Sequence, residues 1–452
     1  MRNRGHITSS WRSAAASIVL GVSASGCATS GSPGASDGSV PDASLADSGE
    51  GDRFSATDGG VSPVDSTVED RLDTTAPEGN AGGMLDAEGT DPESGIDGGA
   101  EGGAPPSLWV MGYYSSWDAD AYPVAEIQWS GLTHIATAFN LPDGSGGVSA
   151  VGSMDPTLAR AVVTAAHAAA KKAIASIGGS GSATVFEGST APAILPTFVE
   201  NLKTLVTTIG YDGLDLDWEG GPTADQTLLL SLVQALRSAM PGALITMPVG
   251  MENNNLPDDL SFYGTVAPLV DQINIMSYGV SGAWQGWKSW HSSPLHWNKD
   301  SSTPVGIDST VADYLAANVP PSKLGVGSGF YGECYSSPVT APDQALGGSQ
   351  VVADDGTMTF AHIMDDYYSA SAHEWDSTAA VPYLSFAAPQ GPEGCTYVTY
   401  EDAESISAKA AWVKSSGLGG VIIWTINEGY LPSAPTGQQS PLLDAMRLGF
   451  LQ

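Results

Sequence analysis

Short apolar runs rich in β-branched residues alternate with longer helix-like segments from residue 108 to the C-terminus. Eight such runs recur along this part of the chain. Their near-continuous apolar character is typical of parallel strands that helices cover. The predicted strands are residues 108–114, 132–140, 173–178, 213–219, 243–249, 272–278, 323–331 and 420–426.

The segments between these strands place Ala and Leu at spacings of three and four residues, which is the periodicity of a helix. Predicted helices include residues 155–172, 195–209, 225–240 and 401–415. Eight strands in alternation with helices predict an α/β fold, a (β/α)8 TIM barrel over residues 107–452. Active sites of this fold lie at the carboxyl ends of the strands.

The fourth predicted strand carries an unusual concentration of acids, in the sequence YDGLDLDWEG at residues 211–220. Alternate side chains of a strand face the same way, so Asp215, Asp217 and Glu219 share one face, about 6 to 7 Å apart in succession. The residues between them are Leu, Leu and Trp, unlike those of a solvated acidic edge strand. Because neighbouring carboxylates cannot all ionise freely, at least one pKa should be raised. A carboxyl that keeps its proton near neutral pH can serve as a general acid.

The segment DGLDLDWE at residues 212–219 matches the DGxDxDxE signature and resembles glycoside hydrolase family 18, the chitinase family. The resemblance implies hydrolysis of β-1,4 N-acetylglucosamine linkages with retention, in which the substrate's own acetamide oxygen is the nucleophile. It implies that Glu219 is the general acid and base and that Asp217 orients the acetamide N–H. Asp215 would share a proton with Asp217. Asp212, at the start of the strand, is expected to be structural.

Further positions carry the same resemblance. Tyr278 ends the segment Met276-Ser277-Tyr278, where the family uses a Tyr hydroxyl to bind the acetamide carbonyl. Trp424 stands where the family has the apolar floor beneath the reacting sugar. The glycines of the SxGG motif at residues 176–179 allow a tight turn beside the site. The remaining residues expected to line the sugar site are Tyr113, Phe139, Gly178, Gly179, Met276 and Tyr331.

Three positions depart from the family pattern. Ser180 replaces a Trp that often follows SxGG, Gly279 replaces the usual Asp after the Tyr, and Glu333 replaces a common Arg. The first departure predicts a weaker product-side subsite, or one supplied by Trp residues of a later loop. The Gly279 change puts the rate and pH optimum in question, and the Glu333 change removes a hydrogen-bond donor. The loop residues expected to stack on sugars are Trp284, Trp287 or Trp290, with Trp375 on the other wall.

Residues 332–399 form an unusually long connection between the seventh and eighth strands. By resemblance this connection is a small α+β insertion that forms one wall of a cleft, with residues 358–386 as its core. Cys334 and Cys395 would staple its base as a disulfide, which an oxidising compartment permits. Two free buried thiols are the alternative.

The N-terminal 27 residues combine three Arg with a short apolar run and end at Cys27. This pattern predicts a bacterial lipoprotein signal with lipid on Cys27, although Ala24 stands where Leu is usual. Ordinary secretion is the alternative. Residues 28–106 are rich in Gly, Ser, Asp and Pro and hold 17 acidic residues, so they predict a flexible, disordered tether. The protein is therefore expected to be exported, anchored to a membrane or cell surface or secreted.

The formal net charge is −34, and residues 107–452 hold 33 acidic and 11 basic side chains. Such a surface repels phosphate backbones, which argues against nucleic acid as a partner. No His and Cys cluster has metal-ligand spacing and no cofactor is expected. The expected partner is chitin or another N-acetylglucosamine oligosaccharide, bound by a monomer. Alternatives are an endo-β-N-acetylglucosaminidase acting on glycoprotein glycans, a peptidoglycan glucosaminidase and a non-hydrolytic chitin-binding lectin.

Overall fold

The computed structural model describes residues 108–150, 154–219, 223–251, 260–297 and 306–452. The predicted signal segment with Cys27 and the predicted tether at residues 28–106 lie outside these ranges. Within these ranges no helix is both long enough and apolar enough to cross a bilayer.

Strands and helices alternate through most of the chain. The strands are β1 (Trp109–Ser115), β2 (His134–Pro142), β3 (Val148–Ala150), β4 (Lys172–Gly179), β5 (Gly213–Trp218), β6 (Leu244–Val249), β7 (Gln272–Ile275), β8 (Leu324–Gly329), β9 (Glu333–Tyr335), β10 (Val351–Ala353), β11 (His373–Asp376), β12 (Val381–Gln390), β13 (Cys395–Thr399) and β14 (Gly420–Trp424). The α-helices are α1 (Pro156–Ala168), α2 (Ala183–Thr190), α3 (Leu195–Ile209), α4 (Thr223–Ala239), α5 (Ser261–Val266), α6 (Ile307–Ala316), α7 (Phe360–Asp366), α8 (Ala403–Ser415) and α9 (Pro441–Phe450). Single 3₁₀ turns lie at Val124–Glu126, Trp129–Gly131, Ala267–Leu269 and Pro321–Lys323.

Eight parallel strands of the described chain close into a barrel, in the order β1-β14-β8-β7-β6-β5-β4-β2, with β2 paired back to β1. The predicted (β/α)8 barrel is confirmed. The short strand β3 adds an antiparallel hairpin to the end of β2. The carboxyl ends of all eight barrel strands therefore meet on one side of the molecule, where the acidic strand β5 ends.

Alternation along the strands separates two apolar layers. Inside the barrel, Met111, Tyr113, Ile174 and Ile422 pack together, and the indole N–H of Trp109 donates to Asn274 at 3.0 Å. The opposite faces of the strands pack beneath the helices in a much larger buried cluster. The site residues on β5 thus project from a strand that is packed on both faces.

Two predicted helices begin later than the sequence pattern suggested, because an Asp side chain caps each one. Asp155 accepts hydrogen bonds from the backbone N–H groups of Thr157 and Leu158 ahead of α1, and Asp402 forms a capping box with Ser405 ahead of α8. A cap residue has extended backbone geometry, so it precedes the helix and is not part of it.

The connection between β8 and β14 contains a second sheet, which is antiparallel and has the strand order β10-β9-β13-β12-β11, together with α7. Cys334 on β9 and Cys395 on β13 are joined by a disulfide with a Cα–Cα distance of 5.3 Å. The bond links two adjacent strands of this sheet and lies in the buried core. The loop after β10 reaches the barrel mouth, where its Asp355 accepts a hydrogen bond from Trp424 at the end of β14.

Candidate active site

The carboxyl end of β5 presents acids to the barrel interior. Asp215 and Asp217 are buried on the inner face, while Leu214 and Leu216 join the apolar layer under the helices. Trp218 also points outward, where its indole stacks on Phe186 of α2 with ring centroids 4.6 Å apart. The outward apolar residues fix the strand, so the acids are held on a rigid element.

Asp215 lies deepest and is fully hydrogen-bonded. Its carboxylate accepts from the hydroxyls of Ser176 (2.8 Å), Thr246 (2.5 Å) and Tyr113 (2.8 Å). Ser176 and Thr246 are its register partners on the neighbouring strands β4 and β6. Burial raises the pKa of Asp215, and the three hydroxyl donors oppose that rise.

Asp217 and Glu219 lie nearer the opening. Burial raises the pKa of Asp217 well above its usual range, and the charges of Glu219 and Asp215 raise it further. One oxygen of Asp217, Oδ1, is buried without a hydrogen-bond partner among the described residues. Burial also raises the pKa of Glu219. The strand therefore holds a carboxyl set that retains protons above the usual pH range of Asp and Glu.

A cavity of about 220 Å³ opens over these acids. It brings together residues from separate strands and loops that the sequence analysis predicted for the sugar site. Its lining consists of Tyr113, Phe139, Ser180, Asp217, Glu219, Met276, Tyr278, Tyr331, Asp355 and Trp424.

Aromatic rings form one wall of this candidate catalytic cavity, called the catalytic cavity below. The ring of Trp424 is stacked on Phe139 at 5.6 Å and tilted against Tyr113 at 5.4 Å. Trp117, which the sequence analysis did not single out, continues the cluster at 6.2 Å from Phe139 and is half exposed. These rings provide an apolar face of the kind that packs on the C–H face of a sugar.

An acid from the loop after β10 fixes the indole of Trp424. Its N–H donates to Asp355 Oδ2 at 2.8 Å. Asp355 is also hydrogen-bonded to the buried Glu428, and burial together with Asp355 raises the pKa of Glu428 well above its usual range. Sequence reasoning missed both acids, because their separation of 73 positions gives no signal that a loop of the insertion returns to the end of β14.

Gly178 and Gly179 shape the site without lining the cavity. A Cβ at Gly178 would lie 2.2 Å from the carbonyl oxygen of Asp217, and one at Gly179 would lie 3.1 Å from the Phe139 ring. Both residues also have positive φ. Glycine at these positions lets β4 approach the catalytic strand closely.

A second, larger cavity of about 470 Å³ lies beside the catalytic cavity and shares Tyr331 and Asp355 with it. Trp284 lines this second cavity and is 46% exposed. Trp287 and Trp290 are buried in the core, so the prediction that either of them stacks on a sugar is wrong. Trp284 is the one of the three that remains a candidate for sugar stacking. Trp375 lies on β11 and lines neither of the two cavities, so its predicted stacking role finds no support.

Gly279 follows Tyr278 and adopts a left-handed conformation with φ of +61°. A Cβ there would lie 2.7 Å from the Tyr331 hydroxyl oxygen. Gly279→Ala should therefore lower the free energy of unfolding by about 1–2 kcal/mol and lower kcat/KM by displacing Tyr331. Gly286→Ala is the matched control, since Gly286 has φ of +86° and no atom near its Cβ position. Equal losses of stability and activity in the two variants would contradict the predicted contact with Tyr331.

Glu333 lies on β9 at the wall of the second cavity, and burial raises its pKa from 4.5 to about 8. In the folded state this carboxyl binds its proton more tightly than in the unfolded chain. Its contribution to stability is fully present below pH 4.5 and is lost as the pH rises to about 8. Glu333→Gln should flatten the fall of the melting temperature across that range, as calorimetry can measure. Asp313 is exposed on α6, and Asp313→Asn should keep the wild-type dependence of melting temperature on pH. The same dependence in Glu333→Gln as in wild type would refute its assignment to Glu333.

Comparison with known proteins places this geometry among carbohydrate-active enzymes. The family model for Glycosyl hydrolases family 18 matches residues 109–429. Chitinase A1 of Niallia circulans is 29% identical over 314 residues, which cover 60% of this chain and 44% of that protein. A chitinase-like effector of Moniliophthora perniciosa is 26% identical over 78% of this chain and 89% of that protein.

Solved structures agree in fold. The Group IV chitinase of Ostrinia furnacalis in complex with allosamidin aligns with a TM-score of 0.62 at 22% identity, over 76% of this chain and 98% of that one. A family 18 N-acetylglucosaminidase from Paenibacillus barengoltzii aligns with a TM-score of 0.61 at 21% identity, over 76% of this chain and all of that one.

Proposed function

Because the chain belongs to glycosyl hydrolases family 18, we propose that it hydrolyses β-1,4 bonds between N-acetylglucosamine units in chitin or chitin oligosaccharides, with retention of configuration. One observation carries the proposal. Asp217, whose buried Oδ1 has no hydrogen-bond partner among the described residues, lines a cavity together with Glu219 and Tyr278. An acetamide N–H is the donor that this acceptor lacks, and an acid with a raised pKa lies next to it.

Glu219 is the group that moves protons. Protonated, it donates its proton to the glycosidic oxygen while the acetamide carbonyl oxygen of the same sugar attacks C1. The C1–O bond to the leaving sugar breaks, and the cyclic oxazolinium ion carries the positive charge. Water then attacks C1, the Glu219 carboxylate takes a proton from that water, and the acetamide is restored.

Asp217 and Tyr278 hold the acetamide during these steps. Asp217 Oδ1 accepts from the acetamide N–H. The positive oxazolinium ion favours the ionised form of Asp217, and that carboxylate in turn stabilises the ion. The Tyr278 hydroxyl donates to the acetamide oxygen. Burial raises the pKa of Tyr278 well above its usual range, and Asp217 and Glu219 raise it further, which keeps the hydroxyl protonated as a donor.

The mouth of the barrel supports a sugar in this orientation. Trp424 forms an apolar floor, and Asp355 restrains its indole through a hydrogen bond. Ser180, at a position where the family often has Trp, lines this cavity with a small side chain. The product-side sugar then has less stacking surface, which predicts weak binding beyond the cleaved bond.

The experiment is product analysis by mass spectrometry. Residues 107–452, wild type and Glu219→Gln, are incubated with chitin oligomers and with a high-mannose glycopeptide. Shortened oligomers from the wild type alone support the proposal. Cleavage of the glycopeptide alone would assign the protein to the glycan-trimming endo-β-N-acetylglucosaminidases. Binding of oligomers without cleavage by either variant would indicate a lectin.

We also propose that the protein is exported and carries lipid on Cys27. The basic and apolar N-terminal pattern supports this, and the disulfide between Cys334 and Cys395 suits an oxidising compartment. Expression of wild type and Cys27→Ser, followed by detergent phase partitioning, tests it. Equal partitioning of both variants into the aqueous phase would overturn the proposal.

A further inference from the structure

The second cavity is strongly acidic. Three of its lining residues are carboxylic acids, Glu333, Asp354 and Asp355. Among the described residues that line it, none is Lys, Arg or His. No ion pair within the described ranges involves any of these three acids. The cavity therefore gathers three carboxyl groups that no basic side chain of the described residues pairs with.

These acids are positioned and not merely scattered on the surface. Glu333 is only 3% exposed, and its Oε2 accepts a hydrogen bond of 2.5 Å from Ser281. The Tyr335 hydroxyl donates in turn to Ser281 at 3.1 Å. Asp354 and Asp355 lie on the exposed loop after β10, and Asp355 is bound to Trp424. The cavity is thus built from β9, from that loop and from the loop that carries Trp284.

The cavity also offers a surface for a sugar ring. Trp284 is exposed on its rim, and its indole packs edge-to-face on the buried Trp287 with ring centroids 4.7 Å apart. An indole held in this way loses little freedom when a sugar packs on it. The cavity therefore combines carboxyl groups with an aromatic surface on which a sugar ring can stack.

The second cavity lies next to the catalytic cavity, and this position indicates which ligand it binds. Asp217 lines the catalytic cavity, where the proposed function places the reacting sugar, and the two cavities share Tyr331 and Asp355 as a common wall. A sugar polymer that places one unit over Asp217 extends a neighbouring unit past this wall. The occupant of the acidic cavity is then a unit of the same chain.

We propose that the second cavity is a subsite that selects a protonated glucosamine unit, adjacent to the N-acetylated unit that reacts. This inference rests on the proposed glycosidase function. It makes partially deacetylated chitin the preferred substrate, because deacetylation exchanges a neutral acetamide for an ammonium group.

The chemistry of the cavity favours that exchange. Ammonium N–H groups form charge-assisted hydrogen bonds with carboxylates, which are about twice as strong as neutral ones. Burial and the nearby Asp354 raise the pKa of Glu333, and burial and Asp355 raise the pKa of Asp354. A cation in the cavity would reverse this effect, since it favours the ionised form of each carboxyl. The reacting unit must retain its acetyl group, so a mixed polymer satisfies both cavities.

The test compares fully acetylated chitohexaose with partially N-deacetylated chitohexaoses. Products are sequenced by mass spectrometry to locate glucosamine relative to each cut. We expect wild type to cut about tenfold more often where glucosamine occupies one fixed position beside the reacting unit, the effect of one charge-assisted hydrogen bond. Added salt should reduce this preference.

Glu333→Gln and Asp354→Asn should each reduce several-fold the ratio of cuts beside glucosamine to cuts beside N-acetylglucosamine, measured within each variant. Asp354 is exposed, so its variant provides the test if Glu333→Gln does not fold. Asp313→Asn removes an exposed charge from α6 that lines neither cavity, and it should retain the wild-type preference.

The outcomes separate this inference from the proposed function. Equal cutting beside glucosamine and N-acetylglucosamine, with the acetylated hexamer hydrolysed, would overturn the subsite and leave the glycosidase intact. A preference that both variants retain would also overturn it. Failure of folded wild-type protein to cut any hexamer would overturn the proposed function itself.

Discussion

Glu219→Gln is expected to reduce kcat on chitin oligomers by about 10²–10⁴-fold, the range that a positioned general acid contributes. Glutamine keeps the shape of the side chain but has no proton to give to the glycosidic oxygen. Binding should persist, because Tyr278, Trp424 and Asp217 still line the cavity. Initial rates and calorimetric titration with chitin oligomers measure the two quantities separately.

Glu404→Gln provides a matched control, since Glu404 is exposed in the first turn of α8. It should retain the wild-type rate. A Glu219→Gln protein that turns over at the wild-type rate would show that another group supplies the proton.

The same acid predicts the pH dependence of the reaction. Glu219 must be protonated to act, and burial raises its pKa. Activity should therefore persist to a higher pH than an ordinary Glu would allow, and it should fall as the pH rises through the raised pKa. The alkaline limb of kcat/KM reports this group in the free enzyme.

Lys409→Met is expected to lower the free energy of unfolding by about 3–5 kcal/mol, the cost of leaving one member of a buried ion pair alone. Lys409 is 1% exposed and pairs with Glu401, which is 2% exposed. Without the ammonium, the buried Glu401 carboxyl keeps the hydrogen bond from Ser405 but loses its charged partner. Urea unfolding followed by circular dichroism measures the loss.

The double variant Lys409→Met with Glu401→Leu separates pairing from packing. It removes both charges, so most of the lost stability should return. A double variant no more stable than Lys409→Met would imply that the methylenes of Lys409, and not the unpaired charge, account for the loss.

The ion pair also connects to the site. Lys409 donates to Ser293 at 2.8 Å, and Ser293 donates to the carbonyl oxygen of Ser277 at 2.6 Å. Ser277 immediately precedes Tyr278 in the chain. Loss of Lys409 should therefore displace Tyr278. The activity of Lys409→Met should be below that of wild type even when it is measured well below the melting temperature.

The local pattern of apolar residues was sufficient to predict the barrel. Each strand and most helix ends depend on residues close in sequence, so periodicity located β5 and α3 within a residue or two. Alternation along β5 also assigned Asp215 and Asp217 to the inner face, because the period of a strand is fixed at two residues. Capping by Asp155 and Asp402 accounts for the helix starts that periodicity placed too early.

The sequence by itself determined the fold and the positions of the proposed catalytic acids, since both are encoded in short contiguous patterns. Only the tertiary structure decided that Trp290 is buried while Trp284 is exposed, because burial depends on what packs from elsewhere in the chain. It also brought Asp355 to Trp424. Contacts between residues so distant along the chain depend on how the second sheet docks on the barrel, and no local periodicity records that docking.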